Sequence, residues 1–427
     1  MLDELPHELL LLVLFELDAR NVCRVGATCR ELAAVAGSDS LWRHLLTRDF
    51  GPALAPPRGQ ARLKHVYAER VTRAALASFG SNEGPGDWGV DTQPRDMGGG
   101  QLGRPEEGFV PLVGVARVAC GGYHSVAVDF LGRVFACGAN AFGQLGLGSR
   151  DSSGGFQRAE LPVAAAQVAC GYAFSFVVAR DGSVWSCGFA KNGRCAIEDD
   201  SIEQRSEDGH PLLLQFRRCS VFERLPGAPL QLACGSGHVL CLTAGGAVWS
   251  FGRNDCGQCG VPERETEVRD GFSVGVENVR ASHVPRLVLC DPRVTGVAAG
   301  AYHSCAFGLG TGLLLTWGSN ILGESAPAGD GAATLRPFAW PGLSRIGCVQ
   351  LMRATIAWLP DEKAVLHNGR LQSVPDLHVR MSFLPFGVVG RTGRVTSMGQ
   401  TRLAWLGRVH EVQCSSVHGL AIVVRSE

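Results

Sequence analysis

Residues 118–148 read VACGGYHSVAVDFLGRVFACGANAFGQLGLG, and the fold follows from the return of this stretch along the chain. It comes back at 168–193 as VACGYAFSFVVARDGSVWSCGFAKNG, at 232–260 as LACGSGHVLCLTAGGAVWSFGRNDCGQCG, and at 297–324 as VAAGAYHSCAFGLGTGLLLTWGSNILGE. Each copy holds an alternating apolar run, a glycine-bearing turn and a second alternating run that ends in glycine, which predicts a small antiparallel sheet. The turns at Leu131-Gly132-Arg133, Arg180-Asp181-Gly182-Ser183 and Gly245-Gly246 supply the positive dihedrals of tight hairpins, while Val126, Val128, Val134 and Phe135 favour extended backbone. Gly138, Gly188, Gly252 and Gly318 close the second run at nearly constant register, as expected where neighbouring backbones leave no room for a Cβ. One such sheet is marginal alone, so copies at this spacing must cover one another in a stack or a ring.

The motifs Gly121-Gly122-Tyr123-His124-Ser125, Gly300-Ala301-Tyr302-His303-Ser304 and Gly143-Gln144-Leu145-Gly146 resemble the regulator of chromosome condensation repeat. That resemblance implies an all-β seven-bladed β-propeller. Some copies depart from it: Phe174 stands at the His position of the second, and Cys259 at the Leu position of Gly257-Gln258-Cys259-Gly260. Residues 76–82 copy only the second half of a repeat, and 412–424 supply a first half that places His418 over His124. The N- and C-terminal strands are therefore expected to share a blade and close the ring, removing the exposed edges of an open array. The shared blade, the four clear copies and two degenerate segments, 350–369 and 381–399, make the expected seven.

Residues 1–50 have a different, helical pattern. In 5–17, LPHELLLLVLFEL, Pro6 suits a first helical turn and Leu9, Leu10, Val13, Leu14 and Leu17 line one apolar face. Cys29, Leu32, Ala33 and Ala36 do the same for a later helix, and together they offer more apolar surface than fifty residues can cover by themselves, which points to a protein partner. Leu5-Pro6-x-Glu8-Leu9, Val25-x-x-x-Cys29-Arg30-x-Leu32 and Leu41-Trp42-Arg43 resemble an F-box at the family's spacings. The resemblance implies an all-α module that docks on the Skp-type adaptor of a Skp-cullin-F-box ubiquitin ligase. Carried over by position, Leu5, Pro6, Leu9, Val13, Leu17, Cys29, Leu41 and Trp42 would form the docking face. Residues 51–74 then read as a Pro/Gly linker and a basic helix, with Leu63, Val66, Tyr67 and Val71 inward and Arg62, Lys64, Arg70 and Arg73 outward, before the propeller at 75–427.

Composition narrows the function classes. The 427 residues carry 40 basic and 40 acidic side chains, a balance that forecasts neither nucleic-acid binding nor a polybasic membrane contact. Asp3, Glu4 and Glu8 stand where a secretory leader would be basic, and the apolar run 9–15 is too short to span a bilayer. The sixteen cysteines are accordingly expected as reduced thiols in the cytoplasm, the nucleus or both. Cys120, Cys170 and Cys234 recur at one repeat position and Cys137 and Cys187 at another, as small buried side chains would. Cys256 and Cys259 form the one CxxC, with no second ligand pair nearby, and read as an eroded repeat turn instead of a metal site.

No metal, cofactor or catalytic residue is expected. His124, His238, His303 and His418 recur at equivalent positions, which spreads them around a ring instead of converging on one centre, so each is assigned a hydrogen-bonding role inside its own blade. Trp185, Trp249 and Trp317 are assigned to blade cores. Two insertions carry charge: 198–207, followed by Arg217-Arg218, and 262–283. They read either as solvated loops or as a substrate patch built from Glu198, Asp199, Asp200, Glu203, Arg217 and Arg218. The leading expectation is a non-catalytic adaptor whose F-box ties it to a cullin ligase and whose propeller holds a target protein of unknown identity. Guanine-nucleotide exchange on a small GTPase, and a scaffold with a vestigial F-box, are the alternatives.

Overall fold

The computed structural model describes residues 30–50, 74–80, 108–261, 266–269, 272–275, 281–320 and 334–343, strand segments onward to 424, and scattered single positions including Leu14, Val22, Leu63, Lys64, Tyr67 and Ala68. Among the described residues, the helices α1 (Arg30–Ala36) and α2 (Asp39–Phe50) precede a β-propeller. Asp39 opens α2, where a carboxylate complements the positive end of the helix dipole. Leu32, Val35 and Ala36 of α1 are buried, as are Leu41, Trp42 and Leu45 of α2, and Ala33 faces out.

Each of the four clear repeats becomes one four-stranded antiparallel sheet, at 115–159, 165–218, 229–290 and 296–339. A further four-stranded sheet occupies 348–373 and a three-stranded one 383–396; Thr266–Arg269 and Phe272–Gly275 pair as a separate hairpin within the second insertion. The terminal segments share a sheet as expected. Ala74–Gly80 lies between Gly108–Val113 and His418–Val424, and Arg408–Cys414 completes it. The register pairs Ala74 with Val424 and Gly80 with His418. The first strands of successive sheets pack on one another from the terminal sheet through the four repeat sheets to the sheet at 348–373.

The core lies between blades. Phe176 sits at its centre in edge-to-face contact with Phe174 at 6.0 Å, Phe251 at 6.0 Å and Phe222 at 6.4 Å, thereby joining the second repeat sheet, the connection that follows it and the third sheet. Trp317 is fully buried as expected of a core tryptophan, whereas Trp185 and Trp249 are half-buried. The described cysteines are free thiols; burial pushes Cys170, Cys219, Cys241 and Cys259 up to about 12, so they pack as inert apolar groups.

The recurring histidines act differently from the expectation. His124 Nε2 lies 2.8 Å from Ser175 Oγ in the next blade, and Ser175 Oγ donates back across the gap to the Gln144 carbonyl at 2.8 Å. His238, Ser304 and the Gln258 carbonyl repeat this arrangement at 2.8 and 2.7 Å. The bonds tie one blade to its neighbour, so the assignment inside a single blade is corrected for these two; His418 lies in the terminal sheet. Because each serine hydroxyl donates to a carbonyl, it must accept from Nε2–H, which leaves Nδ1 unprotonated and unpaired in a buried site. Burial accordingly pulls both imidazoles down to about 3. Between the second and third repeat sheets, the equivalent positions are Phe174 and Val239, both fully buried, so an apolar pair replaces the polar one.

The Asn-x-x-Gly-Gln turn after the third strand is built the same way in two copies. Asn140 Oδ1 accepts from Leu145 N at 3.0 Å and Asn254 Oδ1 from Cys259 N at 2.8 Å; Gln144 and Gln258 likewise accept from Phe142 N and Cys256 N. Cys259 thus holds the place of Leu145, as the eroded-turn reading expects. Gly146 (φ 68°) ends the first of these turns, and a Cβ there would lie 2.6 Å from the Phe216 ring. Gly146→Ala is therefore expected to destabilise the chain by about 2–4 kcal/mol, from left-handed strain plus overpacking, as read from chemical denaturation.

Candidate protein-binding face

The strand directions give the propeller two ends with different neighbours. At one end lie the turns after the second strands of the blades, including Phe130, and the entry of the chain at Ala74. The helical segment meets this end. Trp42 is 2% exposed, donates Nε1–H to the Ala36 carbonyl at 2.6 Å, and meets Tyr67 edge-on at 5.3 Å with Lys64 5.6 Å from its ring. Tyr67 in turn packs on Phe130 at 6.4 Å. Leu63 and Tyr67 face inward and Lys64 outward, as the linker-helix pattern predicts.

Leu41 (0% exposed) and Trp42, both expected on the docking face, are buried within the helical segment and at its junction with the linker. Leu5, Pro6, Leu9, Val13, Leu17 and Cys29 lie outside the described residues.

The opposite end carries the Gly-x-Tyr-His turns and the loops after the third strands. Here the turns touch from blade to blade: Gly122 N donates to the Tyr172 carbonyl at 3.1 Å, and Ser236 N to the Ala301 carbonyl at 3.2 Å. The acidic insertion begins at this end. Glu198, Asp200 and Glu203 are exposed, Asp199 opens the short 3-10 turn Asp199–Ser201, and Ile202 (3% exposed) pins the loop to the core. Arg217 donates to the Ser201 carbonyl at 2.7 Å, whereas Arg218 pairs with Glu223, outside the insertion, at 3.0 Å. Arg217 thus braces the loop backbone, and Arg218 is drawn toward the connection that follows its strand.

A set of residues that the sequence reading did not single out occupies the same end. Arg194 aligns with Gln144 and Gln258, followed by Cys195 at the Leu position and Ala196 at the Gly position. Asn192 (φ 62°) and Ala196 (φ 56°) are the two non-glycine residues with positive φ among the described residues. Arg194 is 7% exposed, donates Nε–H to the Lys191 carbonyl at 2.7 Å, and stacks over Phe189 at 4.9 Å. Around it stand Lys191, 3.0 Å from His210, and Arg253, which grips Asp255 and lies 5.6 Å from the Tyr302 ring. The signal lies in the repeat alignment, where a cation replaces a glutamine. Among the described residues no group of His, Cys, Asp and Glu is placed to hold a metal ion, and no helix is long and apolar enough to cross a membrane.

Comparison with known proteins agrees with both halves. Residues 2–48 match the F-box-like family, and the regulator of chromosome condensation repeat matches 132–178 and 245–307, with a second form of that repeat at 115–144, 165–194 and 230–258. The chain carries an N-terminal F-box-like domain and regulator of chromosome condensation repeats. Among curated proteins, it is 31% identical over 235 residues to the probable E3 ubiquitin-protein ligase HERC4 of Mus musculus, covering 53% of this chain and 19% of that one. It is 30% identical over 267 residues to the secretion-regulating guanine nucleotide exchange factor of Bos taurus, covering 60% of this chain and 50% of that one. The chain therefore spans half or less of the length of these relatives. Among solved structures, Prp20p from Saccharomyces cerevisiae superposes with a TM-score of 0.62 at 16% identity, over 85% of this chain and 95% of that one. Human WBSCR16 does so at 0.60 and 18%, over 82% and 98%. These two likenesses concern the fold.

Proposed function

We propose that the chain is the substrate-recognition adaptor of a Skp-cullin-F-box ubiquitin ligase, with its F-box docking the Skp-type adaptor and its propeller binding the target protein. The observation that supports this reading is the joining of an F-box-like domain at 2–48 to one end of a propeller whose opposite end presents exposed Glu198, Asp200 and Glu203. Such an adaptor acts by position: holding a target beside a charged conjugating enzyme raises local concentration and asks for no nucleophile of its own. We further infer seven blades in a closed ring, with the three-stranded sheet at 383–396 lying between the sheet at 348–373 and the terminal sheet. The chain's place is the cytoplasm, the nucleus or both.

The test is co-purification of the full chain with a Skp-type adaptor and a cullin. Wild type is expected to capture both, and Leu9→Asp to lose at least tenfold in adaptor capture, because a carboxylate would be buried in an apolar interface. Absence of capture by wild type would sink the reading. The identity with the secretion-regulating exchange factor supports a second reading, nucleotide exchange on a small GTPase. Faster release of a fluorescent guanine nucleotide from a GTPase on adding the chain, without adaptor capture, would favour it.

A further inference from the structure

We propose that the end of the propeller bearing Arg194 binds an acidic peptide segment of a target protein, a side-chain carboxylate of that segment pairing with the Arg194 guanidinium. The proposal rests on the propeller being the target-binding half of the chain and names the chemistry of what it holds.

The argument begins with the repeat. Gln144 and Gln258 fill this position with a neutral side chain that is buried and accepts a backbone N–H inside its own turn. Arg194 replaces that local bond with a buried positive charge. It donates to two backbone carbonyls, Lys191 at 2.7 Å and Ser236 at 3.5 Å, and neither neutralises it. Among the described residues the nearby carboxylate, Asp255, is already taken: Arg253 Nε reaches its two oxygens at 2.8 and 2.7 Å, and Gln258 Nε2 donates to it at 3.2 Å. Arg194 and Arg253 therefore stand as two cations beside one engaged carboxylate.

Burial without a counter-charge is costly for a guanidinium, and here it pulls Arg194 down to about 10, still protonated at neutral pH. A fold that needed only to complete the turn has glutamine available, as two of its own repeats show. An arriving carboxylate offsets the desolvation already suffered by Arg194 and finds the planar, pre-oriented fork that suits it. The Phe189 ring beneath the guanidinium keeps the cation from swinging out to water, the half-buried Tyr302 ring packs on Arg253, and half-buried Lys191 and Arg253 extend positive charge along the face. This favours an acidic segment several residues long.

The experiment uses the full chain and fluorescence anisotropy with three labelled octapeptides: alternating Glu-Ala, alternating Gln-Ala, and alternating phosphoserine-Ala. Wild type is expected to bind the Glu peptide at least tenfold tighter than the Gln peptide, with affinity falling as salt rises. Arg194→Gln restores the residue of the other repeats, so it is expected to melt no lower than wild type and lose at least tenfold in affinity for the Glu peptide. Arg194→Lys, which keeps the charge but not the fork, is expected to fall between. Equal binding of the Glu and Gln peptides, or undiminished binding by a folded Arg194→Gln, overturns the proposal, and so does a tenfold preference for the phosphoserine peptide over the Glu peptide. Adaptor capture is measured on the same variants. Capture intact with no Glu preference rejects this inference and leaves the adaptor reading standing, whereas Glu preference without capture rejects the adaptor reading and leaves this one.

Discussion

Trp42→Ala is expected to destabilise the helical segment and its junction with the propeller by about 3–5 kcal/mol, the range for truncating a buried large aromatic side chain. The ring is almost wholly buried, its N–H is bonded to the Ala36 carbonyl, and it forms the first step of a contact chain from α2 through Tyr67 to Phe130. Its loss removes the apolar contacts and leaves that carbonyl without the indole donor. In a melting experiment the variant should show a lowered or split transition, and any adaptor capture should fail together with the fold of the segment. Leu9→Asp should separate the two effects by losing capture while melting as wild type. An unchanged melting curve for Trp42→Ala would contradict the packing described for this junction.

Acid is the second large effect. His124 and His238 are held neutral in the folded blades, down at about 3, while in the unfolded chain they take up protons below the ordinary value of 6.5. The unfolded state then binds more protons, so the stability these neutral imidazoles allow is complete above pH 6.5 and is lost progressively as pH falls toward 3. At pH 4.5 the loss is about 5 kcal/mol for the two histidines together. The chain supplies its own control in the Phe174 and Val239 pair. Converting the first interface to that form, with His124→Phe and Ser175→Val together, should lower stability at neutral pH, because the Gln144 carbonyl loses its hydroxyl donor. The same double variant should lose about 3 kcal/mol less than wild type between pH 7 and 4.5. Urea denaturation across that range reads the slope, and identical slopes for the two proteins would refute the assignment.

Much of this architecture was legible in the residues. The recurrence of 118–148 foretold four repeat sheets, and the half-repeats at 76–82 and 412–424 foretold the pairing of Ala74–Gly80 with His418–Val424. Helical spacing put Leu63 and Tyr67 on the inward side, and repeat register marked Cys259 as a substituted turn residue; both hold in the fold. These features are periodic or local: alternation, glycine in a left-handed turn and helical spacing act over a few residues, so a chain states them openly.

The partners of His124, Trp42 and Arg194 needed the assembled fold. His124 meets Ser175 from 51 residues away and His238 meets Ser304 from 66, distances along the chain over which no local pattern says which atoms will face each other. The F-box resemblance places Trp42 on the docking face, whereas the fold packs it edge-on against Tyr67 of the linker. Arg194 drew no notice in the sequence, and it stands out only once the fold buries it beside a carboxylate that Arg253 engages. Sequence alone determined which segments would be sheets and which helices, since backbone preference and apolar spacing are properties of neighbours in the chain. Tertiary packing alone decided which polar and aromatic groups are spent inside the molecule and which charge is left for another, because burial and ion pairing depend on residues brought together only when blades stack.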